Sequence, residues 1–492
     1  MEILDFVFLA VFLPALFVGY CIFQKWVKVQ NLLILLGSLA FYASYGFDNV
    51  AFLLFSILIT YFGGMIGSGL SKNHRKAGKA VHIISLLLNF GMLFVFKYAG
   101  FIGDNINSIL GKFEQNINFP ELLLPIGLSF FVFQSSTYIL DLMQNKTVVE
   151  KNIIDFALFV SFFPTIISGP IQRSTVLLPQ IKVKREIRYT NFQKAVYLFL
   201  WGAFMKFIIA DRIALFTNEV FGNSDGYRGL VLILSAVAYS VQIYADFAGY
   251  SYMATGCATL FGFNIRENFR QPYLATSIAD FWRRWHISLT SWFRDYLYIP
   301  LGGNRKGNFR KYLNVLIVFL VSGLWHGAEW SFVIWGAIHA IYQIAGSLTL
   351  KKRQKLCSVL KIDRNTTAYR MWQRLCVFVM TTFAWVFFRA GSLGTAIKYI
   401  AGMFTGWKPW TITDGTLFNV GIEPIEWNIL FISVLVLVIV SVYRERGKTC
   451  DDFVKINTVF RYAICLVLII VIVVFGIYGA EYSDSAFIYA GF

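Results

Sequence analysis

Asp280-Phe-Trp-Arg-Arg-Trp-His286-Ile-Ser-Leu-Thr-Ser-Trp-Phe-Arg-Asp295-Tyr-Leu-Tyr-Ile-Pro300-Leu-Gly-Gly-Asn304 is the stretch on which the reading of this chain turns. A basic loop follows it (Arg305, Lys306, Arg310, Lys311), then an apolar run over 315–321. That run breaks at Ser322-Gly-Leu-Trp325-His326-Gly327 and resumes as an apolar segment to about Ile344. Two of the chain's five histidines, His286 and His326, lie in this region. An ionisable side chain at membrane depth is costly and marks a functional site by default. His326, with hydrophobic sequence on both sides, is therefore the first candidate.

Working outward, the composition sets the class. Of the 492 residues, 57% are hydrophobic and only 14% are charged. Many runs reach the roughly 20 apolar residues that span a bilayer. The apolar segments are continuous rather than alternating, which excludes a transmembrane barrel. The expected fold is all-α: a polytopic transmembrane helical bundle with re-entrant hairpins and an interfacial amphipathic helix. The formal net charge of +17 sits in short loops between spans, the positive-inside signature. No soluble basic domain is available to bind nucleic acid. The six cysteines are scattered without a CxxC pair and read as small apolar fillers. Glu2 and Asp5 stand where a cleavable signal would be basic, and Lys25 and Lys28 follow the first apolar run. That order predicts an uncleaved first span with its N-terminus outside.

In chain order, spans are expected at 6–23, 32–45, 50–70, 83–101 and 122–140. The segment 153–170 is apolar but short and broken by Pro164, Gly169 and Pro170, with basic flanks on both sides. It reads as a re-entrant hairpin, tolerated only where protein or a water-filled cavity shelters the irregular backbone. A span at 192–216 precedes a long run, 230–263. That run carries Asp246 within Gln242-Ile-Tyr-Ala-Asp246-Phe-Ala-Gly-Tyr250. A carboxylate there must pair with a base or accept several hydrogen bonds in an interior cavity. Over 280–297, Trp282, Trp285, His286, Leu289, Trp292, Phe293 and Tyr296 recur at three- and four-residue spacing. They predict one amphipathic helix at the cytoplasmic interface. The legs 312–325 and 328–345, too short or interrupted for full spans, form a second hairpin with His326 near its turn. Spans at 371–388, 429–442 and 462–478 complete the chain, with an outside loop at 391–426 and a tail that ends outside. Neither repeats nor linkers are evident, so the whole chain, 1–492, reads as a single membrane domain.

A buried imidazole, with an ordinary pKa of about 6.5, is held neutral. In that form it can take a proton from a hydroxyl as the hydroxyl attacks an acyl carbonyl. The bland alternative is a hydrogen-bonded core histidine. His286 reads either as an aromatic-like anchor or as a second group reaching the same cavity, and His339 as a packed helix residue. His286 and His326 lack a third ligand at a recognisable spacing, so no metal site is expected. The sequence holds no P-loop, GxGxxG or GxSxG motif.

Trp282 to Asn304, followed by Gly323-Leu-Trp-His326-Gly-Ala, closely resembles the membrane-bound O-acyltransferase family, in the branch of alginate O-acetylation membrane proteins. Ser161-Phe-Phe-Pro164, Ser168-Gly-Pro170, the motif around Asp246, and Asn268-Phe-Arg-Gln-Pro272-Tyr fit that branch as well. The resemblance implies that His326 stands at the essential-histidine position and His286 at a second, cytoplasm-side one. It also implies a funnel loaded from the cytoplasm, in a multi-pass protein of the inner (cytoplasmic) membrane. Asp246, Trp285, Arg294, Asp295, Asn304 and Trp325 are the expected substrate- or donor-binding residues. Acetyl-CoA is the implied co-substrate, with no permanently bound cofactor. The acetyl group would end on a hydroxyl of an extracellular polysaccharide or wall polymer, directly or through an extracytoplasmic acyltransferase partner.

Two alternatives stay open from the sequence. One is D-alanyl transfer from a carrier protein to teichoic acid. The other is a transporter of an acylated carrier with no chemistry of its own, since broken helices at the midplane also suit transporters. An absence of inverted repeats counts against the second.

Overall fold

A computed structural model describes residues 3, 5–111, 117–119 and 122–478. No strand occurs among them, and the expected outside tail lies beyond the described residues. Seven helices there are long and apolar enough to cross a membrane. The protein is a polytopic helical membrane protein. Among the described residues, contacts define two compact units: those up to 199 together with 251–266, and 200–250 together with 267–478.

In chain order the helices begin with α1 (Leu13–Ile22), α2 (Val27–Ala43), α3 (Phe47–Ser71) and α4 (Arg75–Leu110). There follow α5 (Leu128–Met143), α6 (Ile153–Ser161), α7 (Ser174–Lys182) and α8 (Tyr189–Ala203). The expected span at 122–140 begins only at Leu128, because Pro125 and the left-handed Gly127 (φ 72°) hold the preceding chain out of the helix. Glycines on one face of α3 let its neighbours approach to backbone distance. A Cβ on Gly67 would stand 2.4 Å from the His82 ring of α4, and one on Gly64 would stand 2.5 Å from Tyr138 of α5.

The first hairpin is α6, an irregular turn over 162–173, and α7. Pro164 and Pro170 remove backbone donors, and Gly169 fits a bend where a Cβ would lie 2.5 Å from the Pro164 carbonyl. Side chains take up the backbone groups that helix geometry would have satisfied. Gln134 donates to the Phe159 carbonyl at 2.5 Å and accepts from the Gln172 N–H at 3.1 Å. Ser38 accepts from the Phe163 N–H at 3.1 Å. Arg185 ties the base of the hairpin, donating to Tyr20 at 2.7 Å and to Asn31 at 2.6 Å. Asn31 in turn donates to Asp155 at 2.8 Å.

The chain continues through a π-helical segment (Phe204–Ala210), α9 (Asp211–Gly222) and α10 (Leu230–Leu260). Next come two short helices, α11 (Ile278–Arg284) and α12 (Ile287–Phe293), then α13 (Gly307–His326), α14 (Trp330–Leu348) and α15 (Leu350–Val359). The last are α16 (Thr367–Arg389), α17 (Leu393–Met403), α18 (Pro424–Glu445), α19 (Cys450–Lys455) and α20 (Thr458–Phe475). The loop read at 391–426 thus contains a helix, α17, capped by Ser392.

The second hairpin is α13 and α14, turning at Gly327-Ala328-Glu329. Its legs are longer than the sequence suggested: α13 has 20 residues, and α14, with 19, is long and apolar enough to cross a membrane. They pack backbone to backbone. A Cβ on Gly323 would lie 2.3 Å from the Phe332 carbonyl, and one on Gly336 would lie 2.3 Å from the Phe319 carbonyl.

The continuous helix expected over 280–297 is interrupted. His286 takes a left-handed conformation (φ 43°, ψ 53°), which divides the stretch into α11 and α12 and leads into a π-helical turn, Arg294–Tyr298. Periodicity was preserved across the break, which is why the sequence concealed it. The aromatic side of the segment packs inward: Trp285 is fully buried, stacked on Phe281 and 4.9 Å from Trp385 of α16.

Candidate active site

The second unit brings His286 and His326 together. His326 is the last residue of α13, placed where Gly327 stops the helix, and it is buried. Its ring sits in an aromatic box, with centroids 4.9 Å from Trp325, 5.1 Å from Trp335 and 5.2 Å from Phe388. Each of these contacts is edge-on, the usual geometry of packed aromatic rings.

His286 approaches from the break between α11 and α12, its ring centroid 6.4 Å from that of His326 and 5.9 Å from that of Trp325. Phe247 of α10 meets its ring edge-on at 4.7 Å. His286 Nδ1 lies 3.2 Å from Asn268 Oδ1. Burial pushes the imidazole down to about 3, so it is neutral across the physiological range. The strained backbone at His286 is held by two rungs between neighbouring loops: Ile287 N–H to the Asn268 carbonyl and Arg270 N–H to the Arg284 carbonyl, each 2.9 Å.

The other residues expected from sequence take several positions. Trp325 touches both histidine rings. Trp285 lies in the adjoining aromatic core, among Phe269, Phe281 and Trp385. Asp246 is buried and bonded to Lys206 at 2.7 Å; the same ammonium reaches Asp211 at 2.9 Å. That pairing satisfies the requirement set by a carboxylate within an apolar helix. Arg294 is largely exposed and paired with Asp295 at 2.8 Å, while Asn304 is exposed in the turn after Pro300. His339 packs as expected, accepting from Trp282 Nε1 at 3.3 Å.

Sequence reasoning did not single out Asn268, Phe247 or Lys206 as parts of this arrangement. Asn268 and Phe247 bear no charge and leave no periodic trace. Lys206 lies in an apolar stretch and was not assigned as the base with which Asp246 could pair.

Chemically, the arrangement is a pair of desolvated imidazoles enclosed by aromatic rings, able to accept and return a proton with little competition from water. The comparisons with known proteins decide the family. Residues 34–389 match the model of the membrane-bound O-acyltransferase family. The chain belongs to that family. Both histidines and all the other expected site residues fall inside the matched region.

Among relatives, the "Probable alginate O-acetylase" of Azotobacter vinelandii is 37% identical over 89% of this chain and 84% of its own length. The peptidoglycan O-acetyltransferase of Helicobacter pylori is 34% identical over 80% of this chain and 78% of its own. The teichoic acid D-alanyltransferase of Bacillus subtilis is 30% identical over 49% of this chain and 66% of its own. This member of the family is an enzyme, an acyltransferase, and it groups with the alginate O-acetylase branch.

Proposed function

We propose that this protein moves an acetyl group from a cytoplasmic thioester donor, acetyl-CoA, to a hydroxyl of an extracellular polysaccharide or wall polymer, with His326 as general base. The observation that carries the reading is the enclosed pair His286 and His326, 6.4 Å apart between ring centroids. In this mechanism the neutral His326 imidazole takes the proton of the acceptor hydroxyl as its oxygen attacks the thioester carbonyl. The tetrahedral intermediate collapses by breaking the C–S bond, and the thiolate recovers the proton from the imidazolium. The aromatic box excludes bulk water, which would otherwise compete with the acceptor as nucleophile. Trp325, in contact with both rings, shapes the space for the acyl group.

The similarity to relatives named for alginate and peptidoglycan O-acetylation supports a carbohydrate acceptor. It also supports residence in the inner membrane, where an extracytoplasmic acyltransferase partner could receive the group. The test is radiolabelled acetyl transfer into a polysaccharide fraction by membranes containing the protein, supplied with acetyl-CoA. Transfer that needs the protein and disappears in His326→Ala supports the reading. Transfer only from a D-alanyl-loaded carrier protein would replace the donor. Movement of an acylated carrier without bond exchange would replace the enzyme with a transporter.

A further inference from the structure

Asn268 has so far entered only as a neighbour of His286 and a backbone partner of Ile287, yet its side-chain oxygen gathers three polar groups. Ser288 Oγ–H reaches it at 2.8 Å, the Ser288 backbone N–H at 3.3 Å, and His286 Nδ1 at 3.2 Å. Asn268 is itself buried, as are Ser288 and His286. A backbone N–H can only donate, so the atom facing it is the amide carbonyl oxygen and not the nitrogen. An oxygen has no proton to give, so His286 Nδ1 must carry one.

A neutral imidazole has a single N–H. With the proton fixed on Nδ1, the lone pair is on Nε2, on the opposite side of the ring from Asn268. We infer that Asn268 is a positioning residue that selects the Nδ1–H tautomer of His286 and makes that histidine a hydrogen-bond acceptor in the acyl-transfer site. The loop pairing supports this. The same asparagine accepts Ile287 N–H on its backbone carbonyl at 2.9 Å, so one residue sets both the left-handed turn at His286 and the ring's protonation pattern. His286 then receives a hydrogen from substrate, such as the acceptor hydroxyl or a donor amide, and cannot act as an N–H donor through Nε2 toward an oxyanion.

The role in catalysis rests on the acyltransferase reading, but the tautomer itself does not. The decisive experiment is nitrogen NMR of the full-length protein in detergent or lipid with isotope-labelled histidine, the His286 signals assigned by their loss in His286→Gln. The expected spectrum shows Nδ1 protonated and Nε2 bare. Asn268→Leu shifts His286 toward the other tautomer and lowers kcat with KM unchanged. Asn268→Asp retains the acceptor, keeps the tautomer and moves the acid limb of the kcat–pH profile upward by roughly 1–3 units, as an adjacent carboxylate favours the imidazolium.

A wild-type spectrum with Nε2 protonated overturns the inference, as does an unchanged pH profile in Asn268→Asp. If Asn268→Leu does not fold, the wild-type spectrum and the Asp variant still decide. The expected tautomer in a protein devoid of acyl transfer would refute the proposed function alone. Acyl transfer with the opposite tautomer would refute this inference alone.

Discussion

The imidazoles of His286 and His326 lie 6.4 Å apart between ring centroids, one at a helix break and the other at a helix end. Neither sits in the middle of a regular helix. Each is placed by a backbone interruption, and both are buried.

His286→Gln is expected to lower acyl transfer with the protein still folded, because the side chain is neutral in the native state and an amide of similar reach fills the space. The measurement is the transfer rate at saturating donor, alongside the thermal unfolding midpoint in detergent. A rate within a factor of two of wild type would make His286 an anchor only.

The buried His286 also makes a pH prediction. Its folded pKa is depressed to about 3, against an ordinary value near 6.5. The folded state therefore binds fewer protons than the unfolded state between these values. Stability is intact above about 6.5 and declines as pH falls from there toward 3. The loss in thermal midpoint between pH 7.5 and pH 5 should be smaller in His286→Gln than in wild type. Equal losses would show that the imidazole is protonated in the fold.

Lys206 and Asp246 should respond unequally to mutation. Lys206 holds two carboxylates, at 2.7 Å and 2.9 Å. Lys206→Met leaves both buried without their counter-charge and should destabilise by roughly 3–5 kcal/mol. Asp246→Asn leaves the Lys206–Asp211 pair intact and should be considerably milder. Denaturation midpoints of the two variants test this, and a reversed order would contradict the ion-triad account.

Gly323→Ala should prevent the α13–α14 hairpin from closing, since the added Cβ meets the Phe332 carbonyl at 2.3 Å. Backbone on both sides cannot yield as a flexible side chain would. Gly346→Ala, on the same hairpin but with no atom within 4 Å of the new Cβ, serves as the control and should fold normally. Yield of monodisperse protein in detergent separates the two.

These variants also show which parts of the fold the sequence carried. Apolar length revealed the spans, and Pro164, Gly169 and Pro170 revealed the broken turn of the first hairpin. His326 stood out as an ionisable group between apolar runs, and Asp246 implied either a base or several hydrogen-bond donors around it. The break at His286 was hidden because a single left-handed residue leaves the three- and four-residue recurrence of Trp282, Trp285, Leu289 and Trp292 undisturbed. Asn268 was hidden because its contribution is a hydrogen-bond acceptor contributed from a loop, a role set by tertiary geometry alone. Arg294 and Asn304 were conspicuous in the motif yet lie at the surface of the structure, where chemical type gives no measure of distance to the histidines.

General-base catalysis by His326 is measured by single-turnover transfer. Purified protein would be loaded with acetyl-CoA and mixed rapidly with acceptor, comparing wild type with His326→Gln at equal occupancy of donor. If His326 is the base, donor binding survives while the chemical step slows by roughly 10²–10⁴-fold, the usual contribution of a positioned general base. An unchanged chemical step in a folded His326→Gln protein would contradict it.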